Sequence, residues 1–249
     1  MIQQRQSSVL SPQSGIMMAG FPTTRWSQVR QAGGLADPES RAALTELCRA
    51  YWFPVYAYIR RKGHDVDSSA DLTQEFFARL IEKGTLNEAD PERGRFRAFL
   101  LSSCRYFLLD SFDRQNAVKR GGAIRFVPLE AEGRYLTEPI DELTPDKLFD
   151  RAWALSLLET VLDRLKAEYK DRGKAEAFET LKIVLTEGPR SVPQAELARR
   201  LKTTEAAVQV AVHRLRKRYK ALVRDQIAAT LADPEEVEDE ILDLFRALG

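Results

Sequence analysis

Residues 96–114, FRAFLLSSCRYFLLDSFDR, leave this chain little choice of architecture. Phe99, Leu100, Leu101, Cys104, Phe107, Leu108, Leu109 and Phe112 make a helix over this stretch apolar nearly all round, so it is expected inside a bundle. The flanking sequence supplies bundle partners. Residues 41–62 place Leu44, Leu47, Tyr51 and Val55 at helical intervals, with Pro54 predicting a kink or break and Gly63 an end. Asp67 or Ser68 can cap a second helix running to about residue 83, closed by Gly84. Helical spacing resumes near 148–170, 174–187, 194–201 and 204–231. A last helix begins at DPEEVEDE, where Asp233 is the expected N-cap, Pro234 sits in the first turn and acids complement the helix dipole. Its stripe is Val237, Ile241, Leu244 and Leu248. Neither a strand-like alternation nor an internal repeat occurs, and the fold class is all-α.

Between the two helical runs, residues 115–147 break the periodicity. KRGG is followed by Pro128, Pro139 and Pro145, with seven acids from Pro128 to Asp150. Prolines and charge oppose burial as a helix, so an extended acidic linker is expected, joining two helical domains. At 249 residues the chain is long enough for both. The first 20 residues read as a disordered lead-in whose apolar patch, IMMAGF, is too short for a signal or membrane segment. Cys48 and Cys104 offer neither a disulfide framework nor a CxxC site, which fits a reduced, cytoplasmic protein. The formal net charge of +1 conceals a patchwork: residues 197–224 hold nine Lys or Arg against one acid, and 233–243 hold seven acids and no base.

Three constellations carry chemistry. ELARRLKTTEAAVQVAVHRLR has the spacing of a helix-turn-helix, with Leu197, Ala198 and Leu201 inward, a turn at Lys202–Thr204, and Val208, Val212, Leu215, Tyr219 and Leu222 as the inner face of the second helix. Outside remain Ala206, Gln209, Val210, His213, Arg214, Arg216 and Lys217. Gln209 can pair with an adenine edge, Val210 can touch a thymine methyl, and the cations can hold phosphates. A solvated basic helix end is the alternative. Second, DVDSSADLTQEFFARLIEK turns Leu72, Phe76, Phe77, Leu80 and Ile81 inward and lines its other side with Asp71, Gln74, Glu75 and Glu82, a docking face or a solvated exterior. Third, residues 91–125 interleave Phe96, Phe99, Tyr106, Phe107 and Phe112 with Arg93, Arg95, Arg97, Arg105, Arg114, Lys119 and Arg120, as single-stranded nucleic acid requires. Most of these rings are expected in the core, with Phe96 and Tyr106 as candidates to touch a base. His64 and His213 are isolated, and no HExxH, phosphate loop or GxSxG accompanies them, so no catalytic residue, cofactor or metal is expected. The residues alone leave open a stand-alone helix-turn-helix regulator, a basic protein-interaction module and a nucleic-acid enzyme.

In this order the three constellations resemble a bacterial RNA polymerase sigma factor of the extracytoplasmic-function type. DLTQEFFARL is similar to that family's region two, GRFRAFLLSSCRYFLLD to its melting and minus-ten segment, and ELARRLKTTEAAVQVAVHRLRKRY to its region four. FPTTRWSQV, LCRAYWFPVYAYIRRKGH, KRGG and the DPEEVEDEILDLFRAL tail resemble a subgroup common in planctomycetes and their relatives. The resemblance implies a region-two domain over 21–115, a linker over 116–147, a region-four domain over 148–231 and a C-terminal extension over 232–249. It implies that Asp71, Gln74 and Glu75 grip the clamp helices of the polymerase beta-prime subunit. Arg93, Arg95, Phe96, Arg97, Arg105 and Tyr106 would meet the minus-ten element. Thr204, Gln209, Val210, His213, Arg214, Arg216 and Lys217 would meet the minus-thirty-five element, with region four also resting on the beta flap. The linker would thread toward the polymerase active site, and the acidic last helix would serve an intrachain contact or a regulatory partner such as an anti-sigma factor. Tyr106 stands where many members have Asn, and Gln209, Val210 and Ala211 where many have Lys, Ser and Arg.

Overall fold

The computed structural model describes residues 38–89, 95–115, 134–135, 143–188, 192–228, 230–231 and 233–249. The expected lead-in, Arg93, and most of the connector lie outside these. Among the described residues the structure is helical, without a strand. The elements are α1 (Pro38–Arg61), α2 (Val66–Glu82), a short 3-10 turn (Thr85–Glu88), α3 (Phe96–Gln115), α4 (Pro145–Asp171), α5 (Ala175–Leu181), α6 (Ile183–Thr186), α7 (Gln194–Arg200), α8 (Glu205–Ala228) and α9 (Val237–Leu248).

Helix α1 runs through Pro54 unbroken. The missing N–H and the ring clash cost about 3 kcal/mol or more in a helix interior. Burial offsets this, because every residue from Phe53 to Ile59 is buried and α1 is packed on nearly all sides. The cap of α2 lies earlier than expected. Asp65, rather than Asp67 or Ser68, accepts from the Ser68 backbone N–H at 2.8 Å and from its hydroxyl at 2.9 Å. Gly84, at φ 63°, closes the segment as the sequence suggests.

Helix α3 departs from the expectation that it lies wholly inside. Phe96, Leu100, Cys104 and Phe107 are buried, whereas Tyr106, Leu109 and Phe112 are 75%, 66% and 66% exposed. They recur three residues apart and so form one open apolar stripe. With large apolar residues on nearly every side, the pattern does not say which side is covered.

Helix α4 joins the halves. Thr144 caps it by accepting from the Lys147 N–H at 3.3 Å, and Pro145 occupies its first turn. Its first half lies along α1, and Trp153 of α4 and Tyr51 of α1 are buried in the same apolar cluster. Further on it packs on α5 and α8, with Tyr169 and Phe178 rings 5.7 Å apart. One apolar cluster therefore extends from Leu47 through Phe149, Leu165 and Leu215 to Leu244. The connector expected to separate two domains does not keep their cores apart. Two of its described residues, Arg134 and Tyr135, sit on α1: Tyr135 is buried 6.3 Å from the Tyr56 ring, and Arg134 lies 4.0 Å over Phe53. Aromatic contacts decide here over acidic composition.

Candidate nucleic-acid interface

The turn between α7 and α8 is built by backbone bonds. Leu201 N–H donates to Leu197 O at 2.9 Å, Thr203 N–H donates to Ala198 O at 2.9 Å, and Lys202 takes a left-handed φ of 51° between them. Thr204 then caps α8, its hydroxyl accepting from the Ala207 N–H at 3.2 Å, which fixes the helix axis. Val208, Leu215 and Leu222 are buried, with Val212 and Tyr219 packed beside them, as the spacing predicts. Gln209, Val210, His213, Arg214 and Lys217 are exposed on the other side. Gln209 donates its amide to Gln194 Oε1 at 2.8 Å, so this exposed side chain is held in place. Arg216 is partly inward and donates to Val184 O at 3.4 Å. Arg218, a member of the basic run, turns away entirely and grips Glu168 of α4 through two bonds of 2.8 and 2.5 Å. Those bonds hold the Glu168 carboxyl below its ordinary range.

On α2, Asp71, Gln74 and Glu75 are exposed, opposite the buried Leu72, Phe76 and Phe77. Glu75 lies 3.5 Å from Arg79, which also donates to Asp110 of α3 at 2.9 Å. A cavity of about 450 Å³ opens between these helices, lined by Phe76, Arg79, Phe99, Ser102 and Tyr106 among others.

The residues expected at the minus-ten element divide. Tyr106 stands free of the core, as expected. Phe96 does not: it is 1% exposed, with its ring edge-on to Tyr51 at 5.4 Å, so it is a core residue and no base can reach it in this conformation. Arg95, Arg97 and Arg105 are engaged by carboxylates from the C-terminal end of the connector and beyond it. Arg105 meets Asp146 Oδ1 at 2.6 Å. Arg97 donates Nη1 to Asp150 Oδ1 at 2.6 Å, and Nε and Nη2 to the two oxygens of Glu240 at 2.9 and 3.1 Å. Its guanidinium also lies 4.6 Å over the Trp153 ring. Arg95 reaches Glu240 Oε2 at 2.6 Å and pairs with Asp243 as well. The bonds from Arg95 hold the Asp243 carboxyl low, whereas burial pushes Asp150 up against the pull of Arg97.

Asp150, Trp153, Glu240 and Asp243 are residues the sequence reading missed. One signal was present: Glu240 falls between Val237 and Leu244, on the apolar stripe of α9 rather than on its acidic face. The thiols take no part, since burial pushes Cys104 up to about 12 and Cys48 up to about 11.

Among the described residues, fold and surface thus define a helical protein with an exposed basic helix after a tight turn and an arginine-rich, aromatic-bearing second surface. Residues 47–118, under a third of the chain, match the family model for sigma-70 region 2. That segment implies the role of an RNA polymerase sigma factor, acting on core polymerase and promoter DNA in promoter recognition and melting, and such factors are not enzymes. No curated protein and no solved structure matches the chain. No described helix is long and apolar enough to cross a membrane.

Proposed function

We propose that this chain is a cytoplasmic sigma factor of the extracytoplasmic-function type, in the subgroup with a C-terminal extension. Residues 21–115 act as region two, 116–147 as the linker, 148–231 as region four and 232–249 as the extension. The match of residues 47–118 to sigma-70 region 2 carries the reading. Asp71, Gln74 and Glu75 dock on the beta-prime clamp helices, an assignment supported by their shared exposed face. Arg93, Arg95, Arg97, Arg105 and Tyr106 meet the minus-ten strand, where Tyr106 offers a ring for a base and the arginines hold phosphates. Thr204, Gln209, Val210, His213, Arg214, Arg216 and Lys217 enter the major groove at the minus-thirty-five element, with region four resting on the beta flap. Gln209 and Val210 read base edges and the cations after them hold the backbone. An anti-sigma factor or similar regulatory partner acts through the extension.

Run-off transcription by core polymerase, with and without this chain, tests the reading on a set of promoter templates. Transcripts that depend on the chain are expected. Duplex binding by the chain alone, with no transcript gained from polymerase, would favour the stand-alone helix-turn-helix regulator.

A further inference from the structure

The arginines assigned to the minus-ten strand are covered in a consistent way. Each described one is held by an acid from the C-terminal end of the connector or beyond it: Arg105 by Asp146, Arg97 by Asp150 and Glu240, Arg95 by Glu240 and Asp243. Glu240 is the centre of the arrangement. Its side chain is 1% exposed and its two oxygens take the forked donors of Arg97 together with Arg95. A guanidinium fork accepts a carboxylate or a phosphate with the same geometry.

The helix that supplies Glu240 and Asp243 is only twelve residues long. Among its residues Val237 and Leu244 are the buried apolar ones, set against α4 and α8, and Arg151 of α4 donates to Leu248 O near its end. Outward it shows Leu242 and Phe245, both exposed. Buried ion pairs add little net stability, because desolvation of both partners offsets their attraction, yet they fix where an element sits. Ile241, Ala247 and Leu248 pack partly beside Val237 and Leu244, so this short helix has a narrow apolar seam, and the ionic cluster fixes its position.

We propose that α9 is a built-in competitor of nucleic acid: Glu240 and Asp243 occupy the guanidinium groups of Arg95 and Arg97 that DNA phosphates take when α9 lifts away. The inference rests on the reading that Arg95 and Arg97 face DNA. It adds that the free chain is closed at this surface by its own C-terminal helix, and that opening it exchanges carboxylates for phosphates.

The test uses the full chain and a fluorescein-labelled single-stranded oligonucleotide of mixed sequence, followed by anisotropy at low salt. Two variants unseat α9 by different means: Glu240→Gln with Asp243→Asn removes the ionic clasp, and Leu244→Asp removes apolar anchorage while keeping the clasp. Glu235→Gln with Asp239→Asn removes the same charge from exposed positions nearby. Hydrogen exchange of residues 237–248 reports whether the helix has lifted. Both unseating variants should bind about tenfold more tightly than the unaltered chain, since a closed state populated at about ten to one lowers apparent affinity by that factor. Adding Arg95→Ala and Arg97→Ala should abolish the gain. An equal gain in the exposed-charge control, or a helix equally protected in both unseating variants, overturns the inference alone. A helix that opens with no gain in affinity overturns the assignment of Arg95 and Arg97 to DNA, and the inference with it.

Discussion

Gln209 shows how much one side chain can be asked to do. On α8 its neighbours Val208 and Val212 face the core, so the outward direction of Gln209 is set by the helix rather than by its own preferences. The bond to Gln194 then removes much of its rotamer freedom before any partner arrives. If α8 reads the major groove, Gln209→Ala should change preference at one promoter position by about 1–3 kcal/mol, measured by binding to a set of single-base variants. Gln194→Ala should weaken the same preference by less, because the reading group stays and only its orientation is loosened. A uniform loss across all sequences would assign Gln209 to affinity alone. The outward position of Gln209 was legible from spacing. Its bond to Gln194 was not, because a contact between helices on either side of a turn depends on the turn geometry, here including the left-handed Lys202. For the same reason the arginines of α3 were identifiable by type but not by partner. Glu240 lies 143 residues from Arg97, and charge pairing at that separation follows from the fold.

At the scale of elements, periodicity fixed the existence of the helices better than their surroundings. It placed α2, α7, α8 and α9 within a few residues, and it identified the inner faces of α2 and α8. It could not say that α1 continues through Pro54, since the compensation is burial supplied by α4. Nor could it say that α3 keeps one apolar side open, since apolar residues on all sides carry no direction. The polar face of α2 is the clearest functional statement an element makes here. Asp71, Gln74 and Glu75 are exposed while the opposite side is core, so their joint replacement by Ala should alter stability by less than about 1 kcal/mol. The same triple variant should lose capture of core polymerase in a pull-down while its far-ultraviolet circular dichroism is unchanged. Retained capture would remove the clamp-helix assignment.

At the scale of the whole molecule, α4 makes one body of what the sequence divides in two. Its residues pack on α1 at one end and on α5 and α8 at the other, and the apolar cluster has no gap between them. Thermal unfolding should therefore follow a single transition, with calorimetric and van't Hoff enthalpies in agreement. Leu165→Ala, a fully buried position in α4, should lower that transition by about 2–5 kcal/mol without splitting it. Two resolved transitions would show that the halves fold separately despite their shared core. The division was a fair inference from composition, because prolines and acids mark connectors, but Tyr135 and Arg134 bind the described part of that connector to α1. Trp153 lies where these parts converge, buried on α4, in one apolar cluster with Tyr51 of α1 and covered by the Arg97 guanidinium that α9 clasps. An indole so placed is an intrinsic fluorophore at the seam, and with Trp26 and Trp52 replaced by Phe its emission colour reports the wetting of that seam without a label.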